Sequence, residues 1–545
     1  MKKLILLALS ALLLGPAYGA SSTDIVPRAS GLYDALAVLA QDHLLPPGSP
    51  DVQDLLNVQG RLYTRAELAR AIRDVARRTS APTPNNVTNH SSGYTVSAQI
   101  VQSPDYLLNN RDRAALAFAR NILAPELGLN AGSGGKGTAF GASGVAEAAT
   151  GSRSDQKLAY HSQGNLFARG RVFGTLGRDG AYTVSATNFY TQFRDHGSFT
   201  TRASGTAGGD NPGGLNGIDE AYATVFGNHG LRATAGLIRQ RWSPSYRGAL
   251  LVGDNGPAHP TLQAELPFSL GRTLGRYDFT QYESTFRNGG RTIYQGGRRL
   301  EHPLGDRTTI SLEEAYQSNQ FNKPLVLVVP FYTFQAHAYP GNTEPRFFNY
   351  LADANLTVRP NGPNGNSRVY GEFLLDDIKA PKGLGLGNNT PRKLAYLVGY
   401  AQVFPRSGTD AVLEYNRTDR ATFTDAESEL AWFDNDLPQG SPVGPNGREV
   451  FGRIGQKLGP KLDIAVEARD RRRVANDFPA PNQRAIDVLV GYRLAPSRSL
   501  GLRLSDYREE PFVGQTSSVP GQFGGAAYGQ RLRRRLFAVS FLQSF

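Results

Sequence analysis

The chain has 545 residues, a formal net charge of +12, no cysteine, 61 glycines, 40% hydrophobic and 10% aromatic residues. A mean hydropathy of −0.37, with no run of the ~20 apolar residues that a spanning helix needs beyond the N-terminal leader, excludes a helical membrane protein; without cysteine there is no disulfide framework, thiolate metal site or cysteine nucleophile. A transmembrane β-barrel passes these tests, because strands that alternate between lipid and lumen are only half apolar, and a soluble β-rich chain shares much of the same composition.

Residues 1–19 read as a signal peptide, with Lys2 and Lys3 as its basic region, Leu4 to Leu14 as its apolar core and Ala17-Tyr18-Gly19 as its cleavage site. Two of the formal positive charges therefore belong to the leader. The basic balance of the rest points to anionic glycans or lipopolysaccharide phosphate as partners, and no nucleic-acid recognition module is visible.

Residues 20–129 read as a small helical periplasmic domain. Leu32, Tyr33, Leu36, Leu39, Ala40 and Leu44 recur at helical steps until Pro46-Pro47-Gly48 ends them. A second helix opens at Thr64, whose hydroxyl can cap the amide of Glu67 while Glu67 reaches back, and it runs through Leu68, Ile72 and Val75. A third spans Arg111 to Leu123, with Leu116, Phe118 and Ala119 on one side. Residues 130–156 are rich in Gly, Ala and Ser and read as a flexible linker.

From residue 157 to 545 the period is two. Leu462, Ile464, Val466 and Ala468 alternate with Asp463, Ala465, Glu467 and Arg469, and Ile486, Val488, Val490 and Tyr492 alternate with Asp487, Leu489, Gly491 and Arg493. One face is apolar and the other charged, as for lipid outside and a wet lumen inside. A soluble sandwich would alternate in the same way. A meander of this length without linkers favours the barrel, and roughly 21 residues per strand and connection gives about 18 antiparallel strands. The last strand, Leu536 to Phe545, carries Phe537, Val539, Phe541 and Phe545 on one face. A terminal Phe there resembles the signal read by the outer-membrane assembly machinery, although Gln543 departs from the usual apolar residue.

Candidate chemistry is sparse. There is no nucleophile elbow, zinc-binding His-x-x-x-His helix or phosphate-binding Gly loop, so the expectation is a non-enzyme without cofactor or metal. Asp376 and Asp377 are adjacent carboxylates, but neighbours on a strand point to opposite faces, which favours a solvated strand end over a paired site. Asp434, Asn435 and Asp436 lack the full calcium-loop spacing, and His259 reads as a loop residue. The stretch from Gly236 to Leu266 is richer. Pro244, Gly253, Gly256, Pro257 and Pro260 punctuate it as strand, rigid turn and return strand. Trp242, Tyr246, Arg247, Asp254 and Asn255 within it offer aromatic faces, an acid, an amide and a guanidinium to a glycan; Trp242 would serve equally as an interfacial girdle residue.

That stretch resembles the hallmark segment of the Wzi capsule-assembly family, with Trp242, Pro244, Tyr246, Gly248, Leu250 to Val252, Asn255 and Pro257 in the matching places. Ile310 to Tyr316 is similar to the family's strand ending in Glu-Ala-aromatic, Val369 to Asp377 to its Tyr-x-Glu strand, and Leu437 to Pro445 to its later Gly/Pro loop, shortened and with Val443 replacing a Leu. The resemblance implies an outer-membrane barrel with a periplasmic helical bundle that holds surface polysaccharide. Separately, Tyr33-Asp34-Ala35-Leu36 and Thr64 to Ala69 resemble one divergent S-layer homology motif. This implies cell-wall-polymer binding through Thr64, Arg65 and Glu67, residues that the capping box explains as well. The alternatives to a polysaccharide-binding barrel are a porin, with Arg469 and Arg493 lining a channel, and a tether to peptidoglycan-linked polymer.

Overall fold

A computed structural model describes residues 36, 39, 68–69, 71–73, 75, 116, 119–120, 140–151, 163–175, 180–191, 215–226, 231–238, 240–253, 258–271, 275–288, 291–305, 307–319, 348–360, 367–376, 393–404, 407–424, 430–434, 437–458, 461–473, 482–495, 498–510 and 532–544. The strands begin with β1 Phe140–Gly151, β2 Gln163–Thr175, β3 Gly180–Thr191, β4 Leu215–Phe226, β5 Arg232–Ile238, β6 His259–Ser269 and β7 Arg276–Asn288. They continue with β8 Arg291–Leu304, β9 Thr308–Ser318, β10 Phe348–Val358, β11 Ser367–Asp376, β12 Leu394–Phe404 and β13 Thr409–Thr418. A short ladder, β14 Phe433–Asp434 with β15 Leu437–Pro438, precedes β16 Gly447–Leu458, β17 Leu462–Arg473, β18 Asn482–Ala495, β19 Arg498–Glu510 and β20 Leu532–Ser544.

All but β14 and β15 belong to one 18-stranded sheet. Each of its strands runs antiparallel to its chain neighbour, and β1 also pairs with β20, Ser143 opposite Ser544 through Thr150 opposite Phe537. A row of strands whose first and last members pair has no open edge.

Which face is buried separates a barrel from a sandwich. On β13, Leu413 is 59% exposed while its neighbours Val412 and Glu414 are 5% and 3% exposed. On β11, Val369 and Phe373 are exposed, whereas Arg368, Tyr370, Glu372, Leu374 and Asp376 are buried. Val398, Val450, Ile454, Val466, Ile486 and Leu504 repeat the outward apolar pattern. A soluble sheet would turn those side chains inward and leave the carboxylates in water. The sandwich alternative fails on this polarity.

The strand ends are unequal. Segments 152–162, 192–214, 239–258, 319–347, 377–393, 419–446, 474–481 and 511–531 connect strands at one end, as does the two-residue connection 289–290. The opposite end has only the short connections 176–179, 227–231, 270–275, 305–307, 359–366, 405–408, 459–461 and 496–497. Short turns at one end and long segments at the other are the habit of outer-membrane barrels.

Two expectations need correction. The Gly/Ala/Ser-rich segment 130–156 is not a linker throughout, because Phe140–Gly151 forms β1. Small side chains gave it no apolar period, yet strand pairing needs only backbone N–H and C=O groups, which β2 and β20 meet on either side. His259 opens β6 instead of lying in a loop, and its ring stacks on Phe286 at 4.7 Å. In the N-terminal part, Leu36, Leu39, Leu68, Ala69, Ile72, Val75, Leu116 and Ala119 are helical and buried, at the positions where the helical period places its apolar faces.

Candidate functional site

The segment 240–253, between β5 and β6, turns into the barrel. Its start requires Gly236, where φ is +141° and a Cβ would lie 2.1 Å from the Ala221 carbonyl oxygen. One guanidinium then organises the turn. Arg241 Nη2 donates to the carbonyls of Ser245 at 2.8 Å, Tyr246 at 3.2 Å and Gly248 at 3.4 Å. The Trp242 N–H donates to the Val252 carbonyl at 2.9 Å and closes the base.

Carboxylates on the inner wall hold this turn by its amides. Glu372 of β11 accepts from Leu250 N–H at 2.7 Å and from the Ser243 hydroxyl. Glu414 of β13 accepts from Arg247 N–H at 2.9 Å, from Tyr246 N–H and from the Tyr370 hydroxyl at 2.6 Å. Each of these bonds gives a buried amide or hydroxyl an acceptor on the wall, and losing that acceptor leaves a donor to be satisfied away from water.

The described parts of the segment 419–446, residues 419–424, 430–434 and 437–446, fold against the first. Trp432 Nε1–H donates to the Leu251 carbonyl at 2.7 Å, and Gly253 N–H donates to the Gln439 carbonyl at 2.6 Å. Asn416 of the wall donates to Ser441 Oγ at 2.7 Å, and Asn349 donates to the Leu430 carbonyl at 2.8 Å. Phe423 and Trp432 are fully buried and share one apolar cluster with Trp242, Leu250 to Val252, Tyr282, Ala315 and Tyr370. Asp376 is fully buried as well, accepting from Phe423 N–H at 2.5 Å with Lys393 Nζ at 3.5 Å. It anchors the second segment, which corrects its reading as a solvated strand end.

The residues proposed for glycan contact divide. Trp242 is 3% exposed, edge-on to the Tyr282 ring at 5.1 Å, so its faces are covered by protein. Tyr246 is half-buried: its ring stacks on Phe451 at 5.5 Å, and its hydroxyl donates to Glu467 at 3.0 Å. Burial, with the Glu467 carboxylate beside it, pushes the Tyr246 phenol well above its ordinary pKa. Arg247 Nε lies 3.4 Å from Glu449 Oε1. Burial opposes its charge, but the carboxylates of Glu449, Glu467, Asp487 and Glu414 outweigh it and hold the guanidinium above its ordinary pKa. Asp254, Asn255, Thr64, Arg65, Glu67, Asp377, Asn435, Asp436 and Phe545 lie outside the described residues.

Sequence reasoning missed Glu414, Glu449, Glu467, Arg453 and Arg471. Arg453 bridges Asp410 at 3.1 Å and Glu467 at 2.9 Å, and Arg471 meets Glu449 at 2.7 Å. Alternation marked this face as charged, but pairing these residues needs the strand register. Arg469 and Arg493 share that inward parity with Ala465, Glu467 and Asp487. No group of three His, Asp or Glu side chains suited to a metal occurs among the described residues.

A sheet of 18 strands enclosing two packed segments, with its apolar side outward, can be set beside known structures. Wzi from Escherichia coli, described as an outer membrane protein involved in group 1 capsule assembly and a carbohydrate-binding β-barrel, matches over 97% of this chain and 100% of its own, with a TM-score of 0.58 and 12% identity. The fold is that of a Wzi-like outer-membrane barrel. Two other solved structures are similar over 74% of this chain: Pseudomonas aeruginosa OccK2 (TM-score 0.43, 10% identity, 98% of its chain) and a BenF-like porin from Pseudomonas fluorescens (0.45, 9%, 99%). No protein-family model matches the chain, and no curated protein matches it.

Proposed function

We propose that this chain is a non-catalytic outer-membrane barrel that binds surface polysaccharide and aids its attachment or assembly into a capsule or envelope layer. The observation that carries this reading is the pair of segments folded into the lumen. Residues 240–253 and the described parts of 419–446 fold inward and are held by wall carboxylates and by each other. Segments packed inside the wall in this way favour a surface at the long-segment end over a path between the ends. The Wzi-like fold over nearly the whole chain supports it, as does the net positive charge if the glycan is acidic.

The proposed contact set is Tyr246, Arg247, Asp254 and Asn255. Trp242 acts as a positioning residue that fixes the turn from below. The long-segment end would face outward and the N-terminal helical part the periplasm. The strand ending at Phe545 would meet the assembly machinery, and Thr64, Arg65 and Glu67 would be the residues of any cell-wall contact. Retention of residues 21–128 on purified peptidoglycan sacculi tests that last point.

The test of the main reading is the ratio of cell-bound to released surface polysaccharide in cells with and without this chain. The expected result is a larger released fraction at unchanged total synthesis. An unchanged ratio sinks the reading.

A further inference from the structure

The outer face of β13 and β16–β19 carries a second feature at its long-segment end. Arg417 lies directly opposite Arg448, Arg448 opposite Arg472, and Arg484 opposite Arg508 in the strand register. All five are exposed; the side chains of Arg472, Arg484 and Arg508 are 46%, 60% and 56% exposed. They share outward parity with the exposed Leu413, Val450, Val466, Ile486 and Leu504, which continue each strand toward the other end. Tyr396 and Tyr415, with rings 5.9 Å apart, stand beside the row where an interfacial aromatic belt is expected.

Like charges directly opposite on neighbouring strands destabilise a sheet. Two aspartates offset part of this cost: Asp470 lies 2.8 Å from Arg472 and 3.4 Å from Arg484, and Asp506 lies 3.1 Å from Arg508. Five arginines against these two aspartates and Asp419, which acts on Arg417, still leave an excess of positive charge along the rim. Guanidinium forks suit phosphate oxygens, taken two at a time. A free anion would have no reason to prefer this height on the wall. An anion joined to acyl chains would, since the chains cover the apolar band while the phosphates reach the row.

We propose that Arg417, Arg448, Arg472, Arg484 and Arg508 form a lateral site for the phosphate groups of a phosphorylated glycolipid packed against the barrel wall. The proposal rests on the outer-membrane reading above but not on polysaccharide binding. Absence of the chain from the outer-membrane fraction would mark failure of that reading; lipid-indifferent behaviour of chain present there would mark failure of this one.

The test uses the full chain in nonionic detergent freed of lipid, with native mass spectrometry and thermal unfolding as readouts. Probes are bisphosphorylated lipid A, phosphatidylcholine, inorganic phosphate and a soluble acidic polysaccharide. Lipid A should be retained and should raise the unfolding temperature, with little effect from the others. The triple variant Arg448→Gln, Arg484→Gln, Arg508→Gln, shown to be folded by its heat-dependent gel migration, should bind lipid A roughly tenfold more weakly. Arg448→Gln alone, which removes two opposed pairs, should raise the lipid-free unfolding temperature and shrink the rise given by lipid A. Unchanged retention by the folded triple variant overturns the proposal, as does a full thermal shift from phosphate or polysaccharide alone, or a lower lipid-free unfolding temperature for Arg448→Gln.

Discussion

Leu250 donates its backbone N–H to Glu372 Oε2 at 2.7 Å, joining residues 122 positions apart. The same carboxylate takes the Ser243 hydroxyl, so one wall residue holds both limbs of the inner turn. Glu372→Ala would take from the Leu250 N–H its acceptor inside the barrel, a cost of about 1–3 kcal/mol, while Ser243 keeps Ser245 Oγ at 2.7 Å and the Gly248 carbonyl at 3.0 Å. The expected outcome is a lower unfolding temperature and conductance steps in a planar bilayer where the native chain is silent. Glu372→Gln, which keeps an acceptor oxygen, should fall between the two. Equal silence from all three would show that the turn is held elsewhere.

Emission from this protein should report the inner segments alone. The chain has two tryptophans: Trp242 in the first segment, 3% exposed, and Trp432 in the second, fully buried. The native protein should therefore emit as a buried indole and resist acrylamide quenching. In Glu372→Ala, emission should shift to the red while the far-ultraviolet signal of the sheet stays unchanged. Quenching of the native protein as efficient as that of a free indole would contradict the packing described.

The barrel was legible because lipid and lumen impose a period of two on each strand; Leu413 beside Glu414 shows it in two residues. β1 escaped, since Ala, Gly and Ser in Phe140–Gly151 carry no apolar signal and backbone pairing leaves none in the sequence. The four segments resembling the Wzi pattern could be seen only as separate matches. Their common purpose appears in three dimensions, where Leu250 meets Glu372, Gly253 meets Gln439 and Ala315 joins the Trp242 cluster. Local pattern offers Trp242 as a sugar-stacking face or an interfacial girdle residue, and burial by an inward-folded turn is not written in that pattern.

Gly440 marks the closest approach of the two inner segments. A Cβ there would lie 2.0 Å from the Leu250 carbonyl oxygen and 3.1 Å from the Phe423 ring. Neither the backbone nor the packed ring can give way without displacing its segment. Gly440→Ala should therefore destabilise the protein by about 1–3 kcal/mol, the usual cost of overpacking. Increased acrylamide quenching of Trp432 measures it. Gly271→Ala is the control for a glycine in open space, where only the positive φ of +76° opposes the change.

Separating the residues that touch a glycan from those that shape the turn needs two variants read by three measurements. Trp242→Ala removes a buried indole from a cluster containing Tyr282 and Leu250 to Val252, a loss of about 3–5 kcal/mol. It should lower the unfolding temperature, raise conductance and release polysaccharide together, because all three depend on the turn being in place. Asp254→Ala with Asn255→Ala should leave unfolding and conductance as they are and release polysaccharide nonetheless. If the double variant retains polysaccharide as the native chain does, the contact lies elsewhere on the long-segment end. If Trp242→Ala releases none despite opening the lumen, polysaccharide binding does not depend on the inner turn.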